Sequence, residues 1–154
     1  MTIAGVPVEN AYQSPPIVMD TNVLVAGACR HESSLAYQLL LGVLEQMFPI
    51  ILTEPIVLEY LEVLERPRVR ALTGLTHRQS EALVIDLISL SQTVQLRFSW
   101  RPNLRDEGHN KFVEAAIHTA AVIVTYNVKD FRSPELGQHG WTVMSPQEFL
   151  ARYQ

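Results

Sequence analysis

A chain of 154 residues, 47% of them hydrophobic, is long enough to bury one core and too apolar for a disordered segment. Its net charge of −4 excludes long-range attraction of the whole molecule to nucleic acid, so any such contact must use local basic residues or a bound cation. The single cysteine, Cys29, excludes an internal disulfide and fits a reducing compartment, and the five histidines lie too far apart in sequence for a zinc-type cluster.

In chain order, Met1 to Gln13 carry Glu9 and no basic stretch ahead of an apolar run, so they read as an arm rather than a leader, with Pro15-Pro16 at its boundary. The expected division is an arm over residues 1–14 and one domain over 15–154. No apolar stretch reaches the length of a membrane span, which points to a cytoplasmic protein without membrane contact. Ile17-Val18-Met19 reads as a buried strand that ends abruptly in Asp20-Thr21-Asn22. Ser33 or Ser34 then caps a helix carrying Leu35, Leu39, Leu40, Val43 and Leu44 at helical spacing. Pro49 to Thr53 reads as a second strand, followed by a helix that starts near Pro55 and stops at Arg66-Pro67. A short segment with three arginines (Arg66, Arg68, Arg70) comes next. Thr76 with Gln79 forms a capping box ahead of a helix through Leu83, Leu87 and Leu90. Thr93 to Phe98 alternates as a strand does, a polar loop runs from Ser99 to Gly108, and a helix spans about Asn110 to Ala120. Ala121 to Thr125 is another buried strand and Trp141 to Met144 a last short one, before Ser145 and Glu148 box the start of a terminal helix.

Strands alternating with helices predict a three-layer α/β/α sandwich around a mainly parallel sheet. In such a sheet ligands bind outside the carboxyl ends of the strands. Three of the four aspartates, Asp20, Asp106 and Asp130, follow predicted strands, whereas Asp86 lies within a helix as a solvated charge. Glu59 adds a fourth acid from the start of the helix after the second strand. Acids converging at one sheet edge repel one another unless a divalent cation sits among them, and oxygen ligation suits Mg²⁺ or Mn²⁺. The plain alternatives are a turn or cap role for each Asp, a polar helix face for Glu59, Glu62 and Glu65, and solvated charges at Arg101, Arg105 and Lys111. Each motif alone is weak, and their joint arrangement carries the reading.

Asp20-Thr21-Asn22, Glu59-Tyr60, Arg105-Asp106-Glu107 ahead of Asn110-Lys111-Phe112-Val113-Glu114-Ala115-Ala116, and Thr125-Tyr126-Asn127-Val128-Lys129-Asp130-Phe131 occur in that order. With them the chain resembles a PIN domain, of the group that forms toxin components of toxin–antitoxin pairs, from Ile17 to the closing Ser145-Pro146-Gln147-Glu148-Phe149-Leu150. The resemblance implies a VapC-like ribonuclease in which acids hold Mg²⁺ or Mn²⁺ and an activated water attacks the phosphodiester. Asp20 matches the first metal acid, with Thr21 and Asn22 shaping its loop, and Glu59 the second. Asn127 falls where the family has Asp or Asn, and Asp130 matches the acid just after it. The implied partners are RNA, a cognate antitoxin and a second copy of the chain.

One position departs from the family pattern. The acid that precedes the Asn-Lys-Phe run is His109 here, and Gly108 replaces a further acid. Three explanations compete: Asp106 or Glu107 reaches in from the loop, His109 itself ligates, or the site is weakened. Glu114, about 140° around the helix from His109, cannot take its place on the same face. The expectation is an endoribonuclease with metal on Asp20, Glu59, Asp106, Asn127 and Asp130, and with Arg101, Arg105 and Lys129 on phosphates. Its rival is a weakened or inactive PIN-fold module that binds RNA or a protein partner. A haloacid-dehalogenase phosphatase needs an acid where Asn22 stands, and a receiver needs an early acid pair that is absent before Asp20.

Overall fold

The computed structural model describes residues 14–93, 107–131 and 141–154. All three side chains of β1 (Ile17–Met19) are excluded from solvent, as are those of β4 (Val122–Val124), to within a few per cent. Between them come α1 (Thr21–Ala28), α2 (Leu35–Leu44), β2 (Ile51–Leu52), α3 (Glu54–Leu64), α4 (Pro67–Thr73), α5 (His77–Leu90), β3 (Gln92–Thr93), a 3₁₀ turn (Glu107–His109) and α6 (Asn110–Thr119). After β4 follow α7 (Val128–Phe131), β5 (Thr142–Met144) and α8 (Pro146–Tyr153).

Every pairing is parallel: β1 with β4, β4 with β5, and β2 with β3. A single bridge between Ile17 and Ile50 joins the two groups, so the spatial order runs β3-β2-β1-β4-β5. This is the expected α/β sandwich with a parallel sheet. The chain moves outward from β1 on one side and resumes at β4 on the other. The carboxyl ends of β1 and β4 therefore flank the point where strand order reverses, the place where open α/β sheets form a crevice.

Local chemistry accounts for the boundaries. Ser34, rather than Ser33, caps α2 by accepting the Tyr37 N–H at 3.2 Å. Both expected capping boxes form, Thr76 with Gln79 on α5 and Ser145 with Glu148 on α8. Helix α6 ends one residue earlier than expected, because Ala120 takes a left-handed conformation at φ 57°. The three-arginine segment is helical, not a plain connection. Pro67 suits its first turn and Gly74, at φ 70°, closes it. Arginines on a seven-residue helix carry no apolar period, so the sequence pattern was silent there. The expected strand Thr93 to Phe98 begins as β3, and residues 94–98 lie outside the described region, as do residues 1–13 of the arm.

Close approach matters most at Gly42. A Cβ there would lie 2.5 Å from Cε2 and 2.7 Å from Cδ2 of Phe48, whose ring meets Phe149 of α8 edge-on at 5.2 Å. Gly42→Ala is expected to lower stability by about 1–3 kcal/mol through overpacking, against a helix-propensity gain of about 1 kcal/mol. Thermal melting measures it, and an unchanged or higher Tm would show that Phe48 can step aside.

Candidate active site

Asp20 follows β1 directly and occupies the N-cap position of α1, yet its side chain makes no cap hydrogen bond. Its carboxylate instead receives the Thr125 hydroxyl at 2.7 Å. The register explains this: Met19 lies opposite Val124, so the first residues past β1 and β4 face each other across the reversal point. Only 6% of Asp20 is exposed. Burial raises its carboxyl above the ordinary aspartate range, while the Thr125 hydroxyl, the nearby His109 and the Thr21 backbone pull it back, and Glu59 adds to the rise.

Glu59 arrives from the second turn of α3. The Thr21 hydroxyl donates to one of its oxygens and the Lys111 ammonium to the other, at 2.6 Å for the lysine. Side chains from α1, α3 and α6 thus meet on one carboxylate, with Glu59 and Lys111 each 24% exposed. The next residue, Tyr60, is fully buried and donates its hydroxyl to the Met19 carbonyl at 2.6 Å. That bond ties α3 to the end of β1 and so brings Glu59 beside Asp20. Thr21 and Asn22, expected in a loop, form the first turn of α1, and Asn22 accepts the Tyr126 N–H at 3.4 Å, tying that turn to the segment after β4.

These groups open into a cavity of about 440 Å³. Asp20, Thr21, Asn22, Glu59, Arg66 and His109 supply its polar lining, and Val25, Val63 and Phe112 part of its apolar wall. His109 is therefore not the solvent-facing helix-start residue its position permits. Its ring lies 4.4 Å from that of Phe131, tilted by 30°, on the wall of the cavity.

The other expected site residues are distributed unevenly. Asp106, Arg101 and Arg105 lie outside the described residues, and Glu107 is placed only as part of the 3₁₀ turn. Asn127, Lys129 and Asp130 are exposed beyond β4 and none lines the cavity. The Asn127 N–H instead donates to the Thr125 hydroxyl at 2.9 Å, steadying the group that holds Asp20. Glu114, expected as a supporting acid that reaches the metal through water, is half-buried on α6 and does not line the cavity. Among the described residues no group of three His, Cys, Asp or Glu side chains is placed to hold an ion. Two carboxylates with hydroxyl support nevertheless fit a hard divalent cation. Asp20 is buried with its charged form disfavoured, and a neighbouring cation is what favours that form.

Three residues escaped the sequence reading of the site. Thr125 had a signal, since the residue after each of two paired strands shares one edge. Arg66 had one too, because Glu59, Val63 and Arg66 fall at i, i+4 and i+7, one helical face. Lys111, open in the sequence to a solvated role or a phosphate contact, is half of an ion pair whose partner lies 52 positions earlier, and no local pattern encodes that.

Residues 16–129 match a family model described as the PIN domain. No curated protein matches the chain in sequence. Among solved structures the chain is similar to one in the crystal structure of VapBC2 from Rickettsia felis bound to a DNA fragment from their promoter. The TM-score is 0.58 at 15% identity, covering 84% of this chain and 98% of that one. This likeness is one of fold. Among the described residues no helix is long and apolar enough to cross a membrane.

Proposed function

The chain belongs to the PIN domain family, and on that premise we propose that it is a divalent-metal-dependent endoribonuclease, the toxin half of a bacterial toxin–antitoxin pair. The observation that carries the reading is the Asp20 carboxylate, buried at the strand-order reversal and set beside Glu59 on an open cavity. The likeness to VapBC2, a complex bound to promoter DNA, supports an antitoxin partner. The proposal includes single-stranded RNA as substrate, action as a homodimer and a cytoplasmic setting.

In this reading Asp20 and Glu59 would hold Mg²⁺ or Mn²⁺, with Asp106, Asn127 and Asp130 as further ligands. When bound, the ion would supply water activation and charge neutralisation at the phosphodiester, and products with a 5′-phosphate are the expected outcome. The protein's own part is orientation. Thr125 fixes one oxygen of Asp20, and Thr21 and Lys111 fix both oxygens of Glu59. Such outer partners typically contribute about 10–100-fold to metal affinity or activity.

A second reading, a weakened module that binds RNA or a protein partner, draws on one observation. The imidazole of His109 stands on the cavity wall where the family carries an acid. Cleavage of a labelled single-stranded RNA with Mg²⁺, Mn²⁺ or EDTA separates the two. The expected result is cutting with either ion and none in EDTA. His109→Asp, which adds a carboxylate to the cation site, should raise the rate at limiting metal by roughly tenfold, the equivalent of about 1.4 kcal/mol. If the folded protein and His109→Asp both bind RNA and cut nothing, the module reading stands.

A further inference from the structure

The net charge of −4 hides a local excess of the opposite sign on α4. This helix, Pro67-Arg68-Val69-Arg70-Ala71-Leu72-Thr73, contains no acid and is preceded directly by Arg66. Acids close to it in sequence are engaged: Glu62 with Arg66 at 2.9 Å, and Glu65 and Glu81 with His77 at 2.9 Å and 3.5 Å. Among the described residues neither Arg68 nor Arg70 has a carboxylate partner. At the carboxyl end of α4 the Arg30 guanidinium donates to the Thr73 carbonyl at 3.1 Å, bringing a further cation to the same region.

Arg66 lines the cavity that holds Asp20 and Glu59. A second concavity, of about 460 Å³, starts at the next residue, Pro67, and is lined by Arg70, Gly74 and Thr76. Arg66 is the N-cap residue of α4, with extended backbone, and its carbonyl accepts the Arg70 N–H at 2.9 Å, so the two arginines sit one helical turn apart, about 6 Å along the axis. That is the scale of one backbone step of an extended single strand. Arg68, two positions before Arg70 on the same helix, points roughly 200° away from it. Glu62 occupies the Nε and Nη2 side of Arg66. The pair is more than half exposed on both sides, so it is worth at most about 1 kcal/mol and a phosphate can share or displace it. Guanidinium groups also match phosphate oxygens in a bidentate geometry.

We propose that Arg66 and Arg70 form a track for successive phosphates of single-stranded RNA, leading along α4 into the cavity of Asp20 and Glu59. The proposal rests on the ribonuclease reading for its substrate, and it names phosphate contacts other than Arg101, Arg105 and Lys129. The partner is the RNA backbone and not a base, because two cations at one-step spacing read charge and leave sequence unread.

The test is binding of a fluorescently labelled single-stranded RNA in EDTA across a salt series, by anisotropy. Arg66→Gln, Arg70→Gln, the double variant and Arg68→Gln are compared with the unaltered protein, each checked for folding by circular dichroism. The slope of log K against log salt should shrink by about 0.7 for each track arginine and about 1.4 for the double variant. Arg68→Gln, which removes the same charge from the other face, should leave the slope unchanged. Equal losses in all three single variants would reduce the effect to net charge and overturn the track. A double variant that binds as the unaltered protein does would overturn it too, and would leave this face to a protein partner. Metal-dependent cleavage by the unaltered protein, measured alongside, reports on the nuclease reading separately. Intact cleavage with unchanged slopes sinks the track alone, and the expected slopes without cleavage sink the nuclease alone.

Discussion

Asp20→Asn is expected to abolish metal-dependent RNA cleavage and to raise the thermal stability of the metal-free protein at neutral pH. The first half follows from the proposed role. Removing a ligand's charge should cost more than the roughly 10–100-fold seen when a ligand's supporting partner is lost. The second half follows from burial. The Asp20 carboxyl is raised above 3.8, so the folded protein holds that proton more tightly than the unfolded chain does. Stability from this group is full below 3.8 and is lost as pH rises through the folded value, so at neutral pH the fold bears the whole cost of a buried charge. Asparagine carries no charge and keeps an oxygen for the Thr125 hydroxyl. The Tm difference should therefore be largest near neutrality and close as pH falls toward 3.8. Each kcal/mol corresponds to about 2–4 °C in a chain of this size. Scanning calorimetry in EDTA across that range decides it: an Asp20→Asn protein that melts below the unaltered one at neutral pH would show that the carboxylate is a structural asset. Such a conflict between stability and chemistry is characteristic of functional sites.

Glu59→Gln should show the opposite balance, losing cleavage and stability together. Its carboxylate answers the Lys111 ammonium at 2.6 Å, and the two side chains are three-quarters buried. Replacing it leaves a shielded ammonium with an amide, a loss of about 1–3 kcal/mol. Lys111→Met alone strands the carboxylate, with only the Thr21 hydroxyl to support it. The double variant removes both charges and should recover part of the stability, giving a coupling energy of roughly 1–2 kcal/mol in a denaturant cycle. Strict additivity would mean that the contact behaves as a solvated surface pair. The two carboxylates of the cavity thus play distinct parts. Asp20 is destabilised by its surroundings, and Glu59, on α3, is held by Thr21 of α1 and Lys111 of α6.

His109 marks where inference from motif and inference from geometry separate. The sequence shows an imidazole in a place usual for an acid, and composition says nothing about its direction. In the fold its ring rests against Phe131 and faces the cavity, because the 3₁₀ turn Glu107–His109 runs straight into α6. A stacked ring is worth about 0.5–1.5 kcal/mol, so His109→Asp should trade some stability for metal affinity.

Much of the architecture was legible because it rests on short-range chemistry. Apolar runs of three residues and the capping boxes at Thr76 and Ser145 are local, and each produced the element its pattern implied. Helices α1, α4 and α7 were not read: each is of eight residues or fewer, too short for an apolar period to show, and α4 offers no signal beyond Pro67 and Gly74. Asp20 could be placed at a strand's end from the chain alone, and parallel topology then put it on a functional edge.

Which groups face Asp20 was a different matter. Thr125 is 105 positions away in sequence, and Lys111 is 52 from Glu59. These meetings depend on the β1–β4 register and on the Tyr60 anchor that sets α3 against β1. The amino-acid order thus dictated the strands, the helices and the acids at their ends, through interactions between near neighbours. Strand register and helix docking chose which hydroxyl, ammonium and imidazole surround those acids, because contacts between distant segments exist only once the core has closed.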